Sequence, residues 1–326
     1  MSFSMHACID LGSNSFHLLI GEWQAGEIRI VERLSEKVQL GEDVAITGRI
    51  SDAAFRRGKD CLQRFKVLID QYTLRHCWAV GTNTFRIAAN ADLFVDQARE
   101  IGIEISVISG LEEAMLIYAG VISGLPKVKS KRLVIDIGGG STEVILGRQQ
   151  ERFLTESLAI GSVAWRDRFF ANPKADTAQI IVSMKQAKTT ARKIFNAVAP
   201  GFKRIGWEDV FASSGTVKML ANMSQGMGFP EAAISSAALD ALQLPIAKAI
   251  ADGTELSGLK QSRRDLALAG WSVLAGLLEA YEIHNLHYSN TALREGMLDF
   301  MVRSQETMPQ DFPASGLPYI DSPEDE

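Results

Sequence analysis

Two stretches of this chain are near copies of one another. Ala7 to Gly21 reads ACIDLGSNSFHLLIG and Leu133 to Gly147 reads LVIDIGGGSTEVILG, so Ile9, Asp10, Gly12 and Gly21 return as Ile135, Asp136, Gly138 and Gly147. Each copy is an apolar run, an Asp, a turn of small polar residues and a second apolar run. That is a β-hairpin pattern. The copies lie 126 residues apart, too far for a solenoid repeat and right for a duplicated domain. The turns carry chemistry as well as geometry. Backbone N–H groups of a tight turn form an anion-holding concavity, and Gly and Ser let phosphate oxygens approach closely. Gly12, Ser13, Asn14 and Ser15 after Asp10, and Gly138, Gly139, Gly140, Ser141 and Thr142 after Asp136, therefore read as two phosphate-binding loops.

The chain has 326 residues, 46% of them hydrophobic, enough for two cores of ~150 residues. A net charge of −5 argues against broad binding to nucleic acid or an anionic membrane. A polyanionic substrate would need local positive charge. Cys8, Cys61 and Cys77 leave an odd count with no C-x-x-C pair, which speaks against a disulfide framework or zinc site and fits a reducing cytoplasm. The N-terminus shows no signal-peptide pattern. Leu266 to Tyr281, the longest apolar stretch, is too short to span a bilayer and predicts a buried helix.

Elements alternate along the chain. A third strand is predicted over Glu27 to Val38, a helix over Asp52 to Tyr72, a strand over Cys77 to Val80, a helix over Asp92 to Glu100 and a strand over Ile103 to Ile108. This is a mixed α/β domain. The turn-and-charge run Leu125 to Arg132 suggests a boundary, giving a first domain over 1–127 and a second over 128–290. Helices are predicted in the second over Thr177 to Ala197, Ala237 to Ala251 and Arg263 to Tyr281. The acidic, Pro-rich residues 305–326 read as a loose tail.

Several residues can do chemistry. Ser109 and Glu112 have capping-box spacing at a helix start, which leaves Glu113, about 100° further round the helix, available to orient or deprotonate a water. The macrodipole alone also favours acids there. Arg86 follows the polar turn Gly81 to Thr84, and its planar fork suits phosphate. Asp136 and Glu143, with Asp10, offer oxygen ligands for Mg²⁺. A third small-residue turn, Phe211 to Thr216 with Gly215, leads to a helix whose N-terminus could hold an anion, although Ser213 and Ser214 could simply cap that helix. His284 and His287 have no acidic or Cys partner nearby in sequence and read as structural. His17 reads as a packed strand residue. Neither a G-x-S-x-G elbow nor a Walker A loop is present.

Together IDLGSNSFHLLI, AVGTNTFRIAAN, VISGLEEAMLIYAGV, LVIDIGGGSTEVILG, LAIGSVAW, FASSGTVKML and NTALREGML resemble the exopolyphosphatase and guanosine pentaphosphate phosphohydrolase (Ppx/GppA phosphatase) family, over about residues 6–302. The resemblance implies two ribonuclease H-like, actin-like domains with the active site in the interdomain cleft. It implies that a last helix, over 291–304, returns to the first domain. It also implies Glu113 as base for the attacking water, Arg86 as a phosphate contact, and Asp136 and Glu143 as ligands of Mg²⁺ in the second loop. The implied substrate is a small polyanion, inorganic polyphosphate or, as the alternative, guanosine pentaphosphate (pppGpp). Nucleic acid and membrane are not among the implied partners, and a homodimer is compatible with the sequence. The chain departs from many relatives in ending without a C-terminal HD-type domain and in carrying Gln39 where a basic residue is frequent. Both features suggest weak processivity on long chains.

Rival readings share the fold. An actin-like ATPase or sugar kinase would need an acceptor pocket, and a silent nucleotide sensor would most easily arise by losing Glu113, Arg86, Asp136 or Glu143.

Overall fold

A computed structural model describes residues 4–24, 27–172 and 174–303. The chain divides into two compact units, 1–123 with 291–326, and 124–290. The acidic tail expected over 305–326 lies outside the described residues.

In unit 1, β1 (Ser4–Leu11), β2 (Ser15–Gln24) and β3 (Glu27–Lys37) form an antiparallel meander, followed by α1 (Val44–Thr47) and α2 (Asp52–Ile69). Then come β4 (His76–Gly81), α3 (Asn83–Ile87), α4 (Ala91–Glu100), β5 (Ile105–Val107) and α5 (Gly110–Ser123). The sheet order is β3-β2-β1-β4-β5, with β4 and β5 parallel to β1. β1 alternates in the way a two-faced strand must. Ala7, Ile9 and Leu11 enter one core with Phe65 of α2 and Phe94 of α4. On the opposite face Cys8 directs its thiol to the Arg294 carbonyl at 3.4 Å.

Unit 2 repeats the plan. Its elements are β6 (Arg132–Ile137), β7 (Thr142–Arg148), β8 (Glu151–Leu158), α6 (Ser162–Phe169), α7 (Thr177–Asn196), α8 (Ala199–Ile205), β9 (Asp209–Ser213), α9 (Gly215–Gly226), β10 (Ala233–Ser235), α10 (Ser236–Asp252), α11 (Ala267–Tyr281) and β11 (Asn285–Tyr288). The order β8-β7-β6-β9-β11 matches β3-β2-β1-β4-β5, with β10 added at the edge. The copying extends to a defect. Opposite Ile20 and Gly21 of β2 the register skips Val31 of β3, and opposite Leu146 and Gly147 of β7, the equivalent residues of the repeat, it skips Phe153 of β8. Two mixed α/β sheets of one plan are the fold class expected from the repeat.

The chain re-enters unit 1 as α12 (Leu293–Arg303), which lies against α5 and β1. Trp78 and Phe300 stack there with ring centroids 5.5 Å apart. Three sequence expectations need adjustment. The helix expected from Arg263 begins as a 3-10 turn over 261–266 and becomes α-helical only at Ala267. The helix expected to follow the Phe211 to Thr216 turn starts within it, at Gly215. Arg86 does not trail a polar turn, because Asn83–Ile87 closes into the short helix α3. No described helix is long and apolar enough to cross a membrane.

Candidate functional site

The loop between β1 and β2 is held in place from outside. Asn14 O accepts from Val38 N at 3.1 Å and Gln39 N at 2.8 Å, and Ser13 O accepts from Gly41 N at 2.8 Å. The Thr84 hydroxyl donates to Ser13 Oγ at 2.8 Å, and Asn14 Nδ2 to Ser15 Oγ at 3.1 Å. Ser13, Asn14 and Ser15 are all buried. A Cβ on Gly12 would lie 3.1 Å from Ser15 O, and one on Gly138 would lie 3.1 Å from Ser141 O. The two turns of the repeat are thus equally tight. Asp10 is the penultimate residue of β1, paired across to His17 of β2 and Val80 of β4. Burial pushes its carboxyl up to about 7; Arg294 of α12 pulls it down, while Glu113 and Glu295 push it further up.

The start of α5 separates two adjacent acids by role. Glu112 N donates to Ser109 Oγ at 3.2 Å and Ser109 N to Glu112 Oε2 at 2.7 Å, a reciprocal cap. Glu113 is left to meet Arg86, whose Nη1 donates to Glu113 Oε2 at 2.9 Å and to Ile108 O at 2.9 Å. The two side chains are only 20% and 10% exposed, so the pair is shielded and its geometry fixed. The arginine holds one carboxylate oxygen and points the group. Nothing in sequence spacing joins residues 86 and 113. The parallel register of β4 and β5 does, since Gly81 pairs with Val107.

In unit 2 a row of polar side chains runs across four strands. Ser213 of β9 is paired with Asp136 of β6, Asp136 with Glu143 of β7, and Glu143 with Ser157 of β8. Cross-strand partners share a face, and the hydroxyls use this. Ser213 Oγ donates to Asp136 Oδ2 and Ser157 Oγ to Glu143 Oε1, the latter at 2.8 Å. Glu143 is 0% exposed and Asp136 9%. A buried carboxylate pair is tolerated only when hydrogen bonds or a cation satisfy it.

The loop after Asp136 is tied back at its carbonyls. Ser162 N donates to Gly138 O at 3.0 Å and Val163 N to Gly139 O at 2.8 Å. A planar trans peptide opposes its C=O and N–H, so these bonds turn the Gly139 and Gly140 amides the other way, as an anion-binding turn requires. The turn holding Gly215 is linked to this loop. Thr216 Oγ1 donates to Ser162 Oγ at 3.1 Å, and Ser162 Oγ to Gly138 O at 3.2 Å. Ser214, at φ 100, accepts from Thr216 N and Val217 N at 3.2 Å and is the true cap. Ser213 is not a cap but a donor to Asp136. Ser157 and Ser162 were not singled out in the sequence; the register of the third strand would have found Ser157.

The Ppx/GppA phosphatase family model matches residues 19–305. A guanosine-5'-triphosphate,3'-diphosphate pyrophosphatase of Aeromonas hydrophila is 36% identical over 299 residues, covering 90% of this chain and 58% of that one. The chain therefore spans less than two thirds of that relative's length. A Haemophilus influenzae protein named "Putative exopolyphosphatase" is 34% identical over 295 residues, 90% of each chain. Among solved structures, an exopolyphosphatase from Cytophaga hutchinsonii superposes with a TM-score of 0.81 at 24% identity, covering 92% of this chain and 98% of that one. That likeness is one of fold.

Proposed function

This chain belongs to the Ppx/GppA phosphatase family, and we propose that it hydrolyses a phosphoanhydride, releasing terminal orthophosphate from inorganic polyphosphate. The observation that carries this reading is the Arg86–Glu113 pair, in a chain that also folds two phosphate-type loops. Glu113 orients a water and takes its proton as the water oxygen bonds to the terminal phosphorus. The bridging P–O bond breaks, and the shortened chain leaves with the electron pair. Arg86 contacts the phosphoryl oxygens through donors of its fork. The amides of Gly12 to Ser15 and Gly138 to Ser141, with Thr142 and Gly215, hold phosphate oxygens.

Asp136 and Glu143 are the residues to hold Mg²⁺. Among the described residues no group of three or more His, Cys, Asp or Glu gathers as a metal site. Two carboxylates with hydroxyl neighbours nevertheless fit Mg²⁺, which commonly takes one or two carboxylates and completes its shell with water and substrate phosphate. When bound it supplies charge neutralisation at the phosphoryl oxygens. The second reading, a guanosine pentaphosphate 5'-phosphohydrolase, is favoured by the name of the Aeromonas relative.

The deciding assay is phosphate release from polyphosphate and from pppGpp, with no acceptor present, with and without Mg²⁺. Release without acceptor separates hydrolysis from a kinase. Glu113→Gln should lower turnover by ~10²-fold or more while substrate binding persists. Near wild-type turnover in that variant would remove Glu113 from the mechanism.

A further inference from the structure

We propose that Arg57 is a positioning residue for the phosphate loop of unit 1. Its guanidinium holds the segment 38–42, and that segment sets the direction of the loop amides. The proposal rests on the phosphoanhydride reading above and adds a residue to it.

The loop is aimed from behind by the segment that follows β3. Val38 N and Gln39 N donate to Asn14 O at 3.1 and 2.8 Å, and Gly41 N donates to Ser13 O at 2.8 Å. A trans peptide opposes its C=O and N–H. These bonds therefore turn the Asn14 and Ser15 amides away from the segment, as an anion-binding turn requires. Contact is direct: a Cβ on Gly41 would lie 2.7 Å from Ser13 Cβ and 2.6 Å from Thr84 Oγ1. A shift of the segment is passed to the loop.

The segment has little rigidity of its own. In unit 2 the matching amides, Ser162 N and Val163 N, belong to the first turn of the eight-residue helix α6. In unit 1 they belong to a turn ahead of the four-residue helix α1. That turn carries two non-glycine residues in the left-handed region, Gln39 at φ 54 and Asp43 at φ 59. Such backbone persists only where its surroundings impose it.

Arg57 of α2 imposes it. Nε donates to Val38 O at 2.7 Å, and Nη2 donates to Gln39 O at 3.4 Å and to Glu42 Oε2 at 3.1 Å. The left-handed backbone at Gln39 brings two successive carbonyls to one side, where a planar fork spans both and an ammonium does not. The pair with Glu42 matters less, because both side chains are 39% exposed and exposed ion pairs contribute little. The carbonyl bonds, made by a charged donor, are the strong ones. Arg57 thus acts on phosphate only through Ser13 and Asn14.

The test uses three variants of the full chain. Arg57→Lys keeps the charge but loses the fork, Arg57→Ala removes both, and Glu42→Gln removes the ion pair while leaving the carbonyl bonds. The quantities read are melting temperature, kcat and KM on tripolyphosphate, Kd for imidotriphosphate, which is not hydrolysed, and hydrogen exchange at the Val38, Gln39 and Gly41 amides. Arg57→Lys should raise KM and Kd by about 10-fold, the scale of one charged hydrogen bond, with kcat within about 3-fold of wild type. Exchange at the three amides should quicken. Glu42→Gln should match wild type in all of these. Methylguanidinium added to Arg57→Ala should lower its KM while leaving wild type unchanged. Wild-type KM and Kd in Arg57→Lys would overturn the assignment, as would an equal loss in Glu42→Gln or a change confined to melting or to kcat. If wild type releases no phosphate from any phosphoanhydride, the hydrolase reading fails, and exchange at the three amides still judges whether Arg57 holds the segment.

Discussion

Replacing Gly296 with alanine should destabilise the protein, against the usual sign of that change in a helix. Ala is favoured over Gly in a helix interior by about 1 kcal/mol. Here the new methyl has nowhere to go. A Cβ on Gly296 would lie 1.9 Å from Leu116 O and 3.1 Å from Gly120 N, and a Cβ on Gly120 would lie 1.8 Å from Ala292 O. Ordinary carbon–oxygen contacts are about 3.3 Å, so α5 and α12 must part by more than ~1 Å. The obstacle is backbone, which no rotamer change relieves. Overpacking of a tight core costs about 1–3 kcal/mol. Taking the upper end and subtracting the propensity gain leaves a net loss of about 2 kcal/mol. For a unit of this size that lowers the melting temperature by roughly 4–8 °C. Gly201→Ala is the control, because its Cβ meets only the movable Leu154 Cδ2 at 3.2 Å and should be neutral or stabilising. Calorimetry of both variants decides the matter. A Gly296→Ala protein that melts at or above wild type would refute the tight crossing. Since α5 carries Glu113 in its first turn, turnover should fall along with stability.

Two further outcomes can be checked. Asp136→Asn should raise the Mg²⁺ concentration needed for half-maximal rate, because a carboxylate ligand becomes a weaker neutral one; activity indifferent to chelator would end the metal role of both Asp136 and Glu143. His6, buried in β1 and stacked on His76 with centroids 5.4 Å apart, has its imidazole lowered to about 4 by burial, then by His76 and Arg75. The unfolded chain then binds the extra proton between pH 6.5 and about 4, so this stability is full above pH 6.5 and is lost as pH falls through that window. At about 1.4 kcal/mol per pH unit the loss is at most ~3.5 kcal/mol. Urea melts of His6→Val should show a flatter acid limb than wild type, and an unchanged limb would clear His6 of the effect.

The fold was legible because the repeat preserves what a hairpin needs, an Asp entering the turn, a tight Gly and a Gly opposite the bulge, and because α2, α7 and α10 carry regular apolar spacing between capping residues. The site was legible only in part. Glu113 stood out because the cap accounts for Glu112 and leaves its neighbour without a structural duty. Ser213 and Ser157 were misread or passed over because their partners are made by sheet register, across 77 and 14 residues of chain. Short strands such as β5 and β10 hold three residues each, too few for any period to register.

The two copies show how far the backbone and its chemistry can separate. Asp136 stands in a row with Ser213, Glu143 and Ser157. Asp10, at the same place in its own sheet, stands in a row with Val80, His17 and Ser35. Strand order, register and bulge are shared, so the difference is one of side chains alone. In unit 2 a serine donates to each acid, and two carboxylates fixed side by side in this way suit a divalent cation. In unit 1 valine replaces the donor beside the Asp and imidazole replaces the second acid. Among the described residues Asp10 has no hydroxyl donor, and burial drives its carboxyl to about 7. If Asp136 and Glu143 hold Mg²⁺ as proposed, a duplicated phosphate loop does not bring a duplicated metal site with it. The hairpin supplies the amides in both units, while the residues one strand to either side of the Asp decide whether a cation can join them.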